Sequence, residues 1–176
     1  MIVRAALVMA ALVGPAAAAP PVPEPTGYRG EPYVAPVPAT LAGAVVLDAA
    51  QVADWQSRGA ILIDVLPHRR KPEGLPEGTL WRAPVHESIP GAVWLPGTGY
   101  ERLAPADEAG FAAALAELTG GDTGAALVFF CKADCWMSWN AAKRAVGLGY
   151  RGVAWFPGGV DDWTAAGHPL QPVEPR

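Results

Sequence analysis

The chain is poor in sulfur and in positive charge. Its 176 residues include two cysteines, and 13 Lys and Arg stand against 17 Asp and Glu, which gives a net charge of -4. A surface that binds nucleic acid normally leaves a basic excess. The lack of one argues against a nucleic-acid partner.

Apolar residues, in contrast, are abundant. They make up 51% of the chain and charged residues 17%. A chain of this length and composition can bury a core of its own. We therefore expect one globular domain.

The N-terminus, MIVRAALVMAALVGPAAAAP, has the order of regions of a secretory signal peptide. Arg4 supplies a positive charge, the apolar stretch from Ala5 to Val13 is too short to cross a bilayer, and small residues follow. Cleavage after Ala18 is favoured, since the alternative cut would leave Pro20 as the first residue. We expect residues 1–18 to be removed on export, which leaves no membrane segment. A short membrane anchor or a disordered tail is the alternative.

The rest of the chain divides by composition. Residues 19–44 contain PPVPEPTGYRGEPYVAPVP, in which proline is too frequent for regular hydrogen-bonded structure, so an extended leader is expected. A domain is predicted over residues 45–171 and a C-terminal tail over residues 172–176. The Pro- and Gly-rich stretch 67–88 is long for a connection inside a domain, which is typical of a functional or disordered loop.

Apolar spacing in the domain predicts strands alternating with helices. From Val45 the pattern is helix-like, with Asp48 as the cap and Gly59 as the end. The other predicted helices are Asp107–Leu118 and Ser138–Leu148, and the predicted strands are Ile61–Val65, one within 89–96, Ala126–Phe130 and Val153–Phe156. This alternation predicts an α/β fold with an open parallel sheet flanked by helices on both faces.

Both cysteines lie in FFCKADCWMSWN, residues 129–140. Cys131 directly follows a predicted strand, at the carboxyl edge where open α/β sheets bind ligands. The loop after it leads into a helix N-terminus, whose N–H groups favour thiolate over thiol. Asp134 opposes a thiolate, and Lys132 is the cation that could offset it.

Three roles are open for the cysteine pair. The first is a redox or sulfur-handling pair, in which one thiolate attacks and the other resolves. The second is a structural disulfide in a partner-binding module, although so small a loop adds little chain-entropy stability. Metal capture is the third, and no metal is expected, because two thiolates supply half of a tetrahedral site and no His stands at a recognised spacing from them.

Side chains outside this loop have more ordinary interpretations. Asp64, Arg69 and Arg70 follow the carboxyl end of a predicted strand and could rim the same cleft, though a basic cluster is usually a solvated surface. Trp136 and Trp139 are three residues apart, so we expect both to share a helix face and pack in the core. Trp136 could instead shield the sulfur pair or contact a partner.

Several segments together resemble a rhodanese domain. They are LIDV at 62–65, IPGAVWLP at 89–96, the apolar strand that ends at Cys131, SWNAAKRAVGLGY at 138–150 and PGGVDDWTAAGHPL at 157–170. The resemblance implies a rhodanese-like fold in which Cys131 accepts a sulfane sulfur and backbone amides of its loop form an anion cradle. The loop residues concerned are Lys132, Ala133, Asp134, Trp136, Met137 and Ser138.

The sequence departs from the family pattern at two positions. If Ser138 begins the helix, the loop has seven residues, as in the rhodanese-related phosphatases. Met137 stands where those enzymes place a phosphate-binding Arg, so phosphatase activity is not expected. Leu66 replaces the arginine expected after Asp-Val.

DCWMSWNAAKR, with GLPEGTLWR and IPGAVWLP, resembles a narrower group, the PQQ-dependent catabolism-associated CXXCW motif proteins. The resemblance implies a periplasmic role beside quinoprotein alcohol dehydrogenases and their cytochromes c, with pyrroloquinoline quinone (PQQ) linked through the pathway only. Here three residues, not two, separate the cysteines. One hypothesis is thiol-disulfide exchange or sulfur transfer through Cys131, with Cys135 as the resolving partner. The other is a noncatalytic module with a structural disulfide that binds or helps mature a periplasmic quinoprotein dehydrogenase or its cytochrome.

Overall fold

The computed structural model describes residues 20–176. The predicted signal peptide, residues 1–18, lies outside the described residues. The helices are α1 (Ala49–Ser57), α2 (Pro105–Thr119), α3 (Trp136–Gly147) and α4 (Gly159–Ala165). The strands are β1 (Val45–Val46), β2 (Ile61–Asp64), β3 (Glu87–Ser88), β4 (Val93–Trp94), β5 (Leu127–Phe130), β6 (Val153–Phe156) and β7 (Gln171–Pro172).

The first turn of α1 is stabilised by the side chains of Asp48 and Gln51. Asp48 Oδ1 accepts from the Gln51 N–H at 2.8 Å, and Gln51 Oε1 accepts from the Asp48 N–H at 2.9 Å. This reciprocal capping satisfies two N–H groups that the helix leaves unpaired. The predicted cap is confirmed, but Val45 and Val46, for which the sequence pattern predicts helix-like structure, form a strand beside β6.

Within the described residues, five parallel strands form the main sheet in the order β1-β6-β5-β2-β4. The central strand is β5, and its last residue, Phe130, lies opposite Asp64 of β2. Cys131 therefore leaves the sheet at the middle of its carboxyl edge. The predicted α/β class and parallel sheet are confirmed.

Helices cover both faces of the sheet, as predicted. One face packs against α2 and α3 and includes Phe129, Cys131 and Trp155. The other face packs against α1 and α4 and includes Val128 and Phe130. Side chains alternate between faces along a strand, so residues next to each other in sequence pack against different helix layers.

The C-terminal residues are attached to the domain. Gln171 and Pro172 pair antiparallel with Glu87 and Ser88, and the Arg176 N–H donates to the Trp94 carbonyl at 3.0 Å. Residues 172–176, predicted as a tail, are thus tied to the sheet by main-chain pairing. A sequence pattern does not reveal this, because the pairing joins distant segments.

Residues 20–44, here called the strap, contain no helix but pack against the domain. Tyr33, Ala35 and Val37 contact the α2/α3 side of the core, and Leu41 is buried in it. The leader is extended, as predicted, yet it covers the outer side of α3. Among the described residues, no helix is both long and apolar enough to cross a membrane.

Candidate functional site

The two cysteines form a disulfide at the carboxyl edge of the central strand. Cys131 follows β5 directly, and Cys135 is the N-cap of α3. Their Cα atoms are 6.4 Å apart. The fold therefore brings together the pair that the sequence singled out.

Both sulfur-bearing side chains are buried. Cys131 is 0% exposed and Cys135 is 2% exposed. They belong to the apolar cluster on the α2/α3 face, together with Trp136 and Trp139. In this closed form the disulfide is out of reach of a reagent in solvent.

The helix after the loop begins two residues earlier than predicted. The sequence placed its start at Ser138, but α3 begins at Trp136. Ser138 lies inside the helix, where its hydroxyl donates to the Cys135 carbonyl at 2.9 Å. The Trp136 N–H, unpaired within α3, donates to the Tyr33 carbonyl of the strap at 2.8 Å. The sequence signal missed this start because the acceptor comes from a distant segment.

One amide and one carbonyl of the loop form hydrogen bonds with α4. The Ala133 N–H donates to Asp161 Oδ2 of α4 at 2.9 Å, and the Cys131 carbonyl accepts from the Val160 N–H at 2.9 Å. Asp134 takes a left-handed conformation with φ 52°. One donor of the predicted anion cradle, the Ala133 N–H, is therefore already occupied by a carboxylate.

The remaining predicted loop residues have structural contacts. Met137 and Ser138 are buried in α3, and the Ser138 hydroxyl accepts from Trp155 Nε1 at 3.0 Å. Lys132 is half-buried and pairs with Gly159 in an isolated bridge. Trp136 and Trp139 pack edge to face with centroids 5.5 Å apart, which confirms their predicted place in the core.

A cleft of about 550 Å³ opens next to the loop, beside the first residues of α4. Lys132, Arg69, His86 and Trp94 contribute to its wall, but neither cysteine does. Arg69 lines this cleft, but it does not share the cleft with the sulfur pair as predicted, and Arg70 is exposed and does not line it. Cys131 and Cys135 instead pack in the apolar cluster on the α2/α3 face of the sheet.

Asp64 lies beneath this cleft and not on its rim. It is fully buried, and its carboxylate accepts from Ser88 Oγ at 2.6 Å and from the Leu66 N–H at 2.9 Å. His86 Nε2 lies 2.8 Å from the same carboxylate. The predicted rim position is wrong, because Ser88 of β3 and His86, which directly precedes β3, lie against the Asp64 carboxylate. The two-residue spacing of His86 and Ser88 was the available signal, since it places both on one side of a strand.

Metal ligands do not converge in the described part of the chain. Within residues 20–176 no three side chains of His, Cys, Asp or Glu lie close enough together to hold an ion.

Comparison with known proteins identifies the domain. The family model for the rhodanese-like domain matches residues 48–166, from the cap of α1 to the residue after α4. The strap and β1 precede the matched region. No curated protein matches the chain.

Solved structures of other proteins are similar to this chain at low identity. A protein from Bacillus halodurans is 19% identical, with 73% of this chain and 77% of that chain covered and a TM-score of 0.47. Thiosulfate sulfurtransferase from Pseudomonas aeruginosa is 22% identical, with coverage of 76% and 21% and a TM-score of 0.49. The 30 kDa polysulfide-sulfur transferase homodimer from Wolinella succinogenes is 21% identical, with coverage of 74% and 80% and a TM-score of 0.47.

Proposed function

The chain belongs to the rhodanese-like domain family, and from this membership we propose that it acts through the Cys131–Cys135 pair in thiol-disulfide exchange or sulfur transfer. The observation that carries the proposal is the disulfide at the carboxyl edge of the central strand. Of the two reactions, exchange fits the closed loop better, because Asp161 holds the Ala133 amide that a sulfane anion would need.

The position of Cys135 at the start of α3 gives the two sulfurs different roles. Cys135 is the N-cap of α3, where the positive end of the helix dipole favours a thiolate. An incoming thiolate attacks Cys131 Sγ, the Cys131–Cys135 bond breaks, and Cys135 leaves as the stabilised thiolate. Cys131 then carries a mixed disulfide with the substrate, and Cys135 attacks it in the reverse step. These roles agree with Cys131 as the primary thiol and Cys135 as the resolving partner.

Single serine substitutions test the exchange. We expect Cys131→Ser to abolish activity in an insulin-type reduction assay or a thiosulfate or persulfide transfer assay, because it removes the sulfur that bonds the substrate. Cys135→Ser should trap a mixed disulfide on Cys131 that mass spectrometry detects. Equal turnover of the Cys131→Ser variant and the wild type would reject the proposal.

The depth of the disulfide favours a second candidate function. With 0% and 2% exposure, the pair could serve as a structural cross-link in a noncatalytic module. Such a module would bind or help mature a periplasmic quinoprotein dehydrogenase or its cytochrome c. Co-purification with that partner should then survive Cys131→Ser, and loss of binding after this one change would count against the module.

We place either activity in PQQ-dependent alcohol catabolism of the periplasm. The support is the similarity of DCWMSWNAAKR to the CXXCW group and the signal-like N-terminus. Mass and thiol analysis of protein taken directly from the periplasm tests this. Cleavage after Ala18 should leave a mature N-terminus at Ala19, and intact Met1 in the cytoplasm would contradict export.

A further inference from the structure

The cleft of about 550 Å³ beside the cysteine loop is large enough for a small organic molecule. Segments that are distant in the sequence build its wall: residues 66–69, residues 83–87, Trp94, Lys132, residues 160–161, Leu170 and residues 173–175. Neither cysteine is among them, so the proposed exchange through the sulfur pair leaves this cleft without a role.

Much of the wall of the cleft is apolar. Besides three prolines, the apolar residues that line it are Leu66, Val85, Trp94, Val160, Leu170 and Val173. Val85 is 71% exposed, so a ligand that covered it would remove apolar surface from water. An inorganic ion offers no such surface. The cleft therefore suits a ligand with an apolar body.

His86 is held in a fixed orientation at this wall. Its Nε2 donates to the buried Asp64 carboxylate at 2.8 Å, because a carboxylate oxygen only accepts. Its ring packs on Trp94, and Trp94 Nε1 in turn donates to the Leu66 carbonyl at 2.6 Å. A side chain that is already oriented loses little freedom when a ligand binds.

The other ring nitrogen of His86, Nδ1, is available to a ligand. Within residues 20–176, Nδ1 makes no hydrogen bond, and the one buried side-chain nitrogen or oxygen without a partner is Arg144 Nε. His86 Nδ1 is therefore in contact with the solvent of the cleft. In the protonated ring Nδ1 donates to an anion while Nε2 stays on Asp64.

Two further cations stand at the cleft without a carboxylate partner. In the described part of the chain, neither Lys132 nor Arg69 forms an ion pair. Lys132 is half-buried and Arg69 is exposed. Together with His86 they give the cleft three donors that carry or can carry positive charge.

The acidic residues of the wall are engaged or directed elsewhere. Asp161 Oδ2 already accepts from the Ala133 N–H at 2.9 Å. His86 and Ser88 both contact Asp64, so the side chain of Glu87 between them points to the other side of the strand. Glu174 is exposed near the C-terminus. The cations of the cleft are thus left to an anionic group of the ligand.

We propose that this cleft is a binding site for a small organic acid. Its carboxylate lies among His86, Lys132 and Arg69, and its apolar body covers Val85 and Val173. Asp64 is a positioning residue, since it acts by fixing the ring of His86. The site is separate from the sulfur pair and does not depend on the exchange activity.

The test is an NMR titration of the isotope-labelled full chain at constant pH and salt with four probes. Benzoate has both a carboxylate and an apolar ring, benzamide lacks the charge, acetate lacks the ring, and benzylammonium reverses the charge. We expect benzoate to shift the amide signals of Lys132 and Val173 and the ring signals of His86 until saturation. The ring of His168, which does not line the cleft, should not respond. Benzamide and acetate should bind about threefold more weakly or worse.

Two neighbouring arginines supply matched variants. Arg69→Gln and Arg70→Gln remove the same charge from adjacent exposed positions, but only Arg69 lines the cleft. We expect Arg69→Gln to weaken benzoate binding about threefold, the contribution of an exposed ion pair, and Arg70→Gln to leave it unchanged. Both side chains are exposed, so neither variant should disturb folding, which far-UV circular dichroism checks.

Four results would overturn the site. They are equal binding of benzoate and benzamide, tighter binding of benzylammonium, equal effects of the two arginine variants, and no saturable shift with any probe. Benzoate shifts confined to Phe111 and Arg102 would also overturn it, because these residues line another cavity, of about 580 Å³, beside α2. None of these results touches the exchange activity, which the Cys131→Ser assay tests by itself.

Discussion

At the scale of single residues, the hydrogen bonds of Asp64 have the clearest energetic consequence. His86 is one of three groups that contact this fully buried carboxylate. We expect His86→Ala to lower the free energy of unfolding by about 1–3 kcal/mol, because a buried acceptor loses a partner. Urea denaturation measures the change.

A neighbouring histidine supplies the control. His68 packs on Trp94 with ring centroids 4.6 Å apart, much as His86 does at 4.1 Å, yet it is exposed. His68→Ala should therefore lower the free energy of unfolding by less than His86→Ala does. Equal losses for the two variants would show that packing on Trp94, and not the contact with Asp64, is the source of the effect.

Residue roles were predictable where local sequence decides them. The position of Cys131 after a strand and the burial of Trp136 and Trp139 followed from spacing within one segment. Asp64 was misplaced because its surroundings come from β3, reached only after a long connection. Asp64 is buried because residues 86–88 cover it, and the sequence does not indicate that this segment packs against β2.

At the scale of elements, the close approach of α4 to the cysteine loop leads to a prediction. Gly159 has φ 53°, and a Cβ there would lie under 3.0 Å from the Cys131 carbonyl oxygen. Gly121 also has a positive φ, 81°, but a Cβ there would meet nothing within 4 Å. An alanine would therefore be strained by the positive φ at either position, but only at Gly159 would its Cβ also clash with a neighbouring residue.

We expect Gly121→Ala to lower the free energy of unfolding by roughly 1–2 kcal/mol, the cost of a left-handed residue with a side chain. Gly159→Ala should lower the free energy of unfolding by more than Gly121→Ala does, and it should shift the NMR signals of Lys132 and Ala133. Thermal unfolding of the two variants checks the order. A smaller loss at Gly159 would mean that the loop and α4 can separate freely.

Most elements could be predicted because their apolar patterns are local. Three short elements, β3, α4 and β7, were not predicted from these patterns. The first turn of α3 was also missed, because the strap supplies the acceptor for the Trp136 N–H, and so was β1, whose two residues pair with β6. β1, β3 and β7 pair with segments that are distant in the sequence, and a local pattern does not reveal such pairing.

At the scale of the whole molecule, the strap should respond to acid. Its Glu24 carboxylate accepts from the Thr40 hydroxyl and the Ala42 N–H, and these hydrogen bonds, with attraction to Lys143, hold the pKa of Glu24 below its usual 4.5. A lowered pKa means that the folded strap is stabilised fully above pH 4.5. The contribution is lost as the pH falls through the lowered value.

We therefore expect the amide NMR signals of Thr40 and Ala42 to change as the pH falls below 4.5. Glu24→Gln should abolish this titration, because the side chain no longer carries a proton-dependent charge. The control is Glu31→Gln, at an exposed glutamate of the same strap. Persistence of the titration in Glu24→Gln would assign it to another group.

The fold class was evident from the sequence, but the course of the strap was not. Strands alternating with helices are enough to predict a parallel sheet. Contacts between Arg29 and Asn140 join residues 111 positions apart, and proline-rich composition indicates extension without indicating where the chain lies. The predicted limits of the domain, residues 45 and 171, stay predictions.

The disulfide and the cleft are separate sites, although adjacent residues belong to them. Cys131 faces α2 and α3, whereas Lys132, the next residue, lines the cleft beside His86. A dye or cross-linker lodged in that cleft would report on His86 and leave the disulfide intact. A reductant that opened the disulfide would in turn spare a cleft-bound probe, so each half of the molecule can serve as the internal reference for the other.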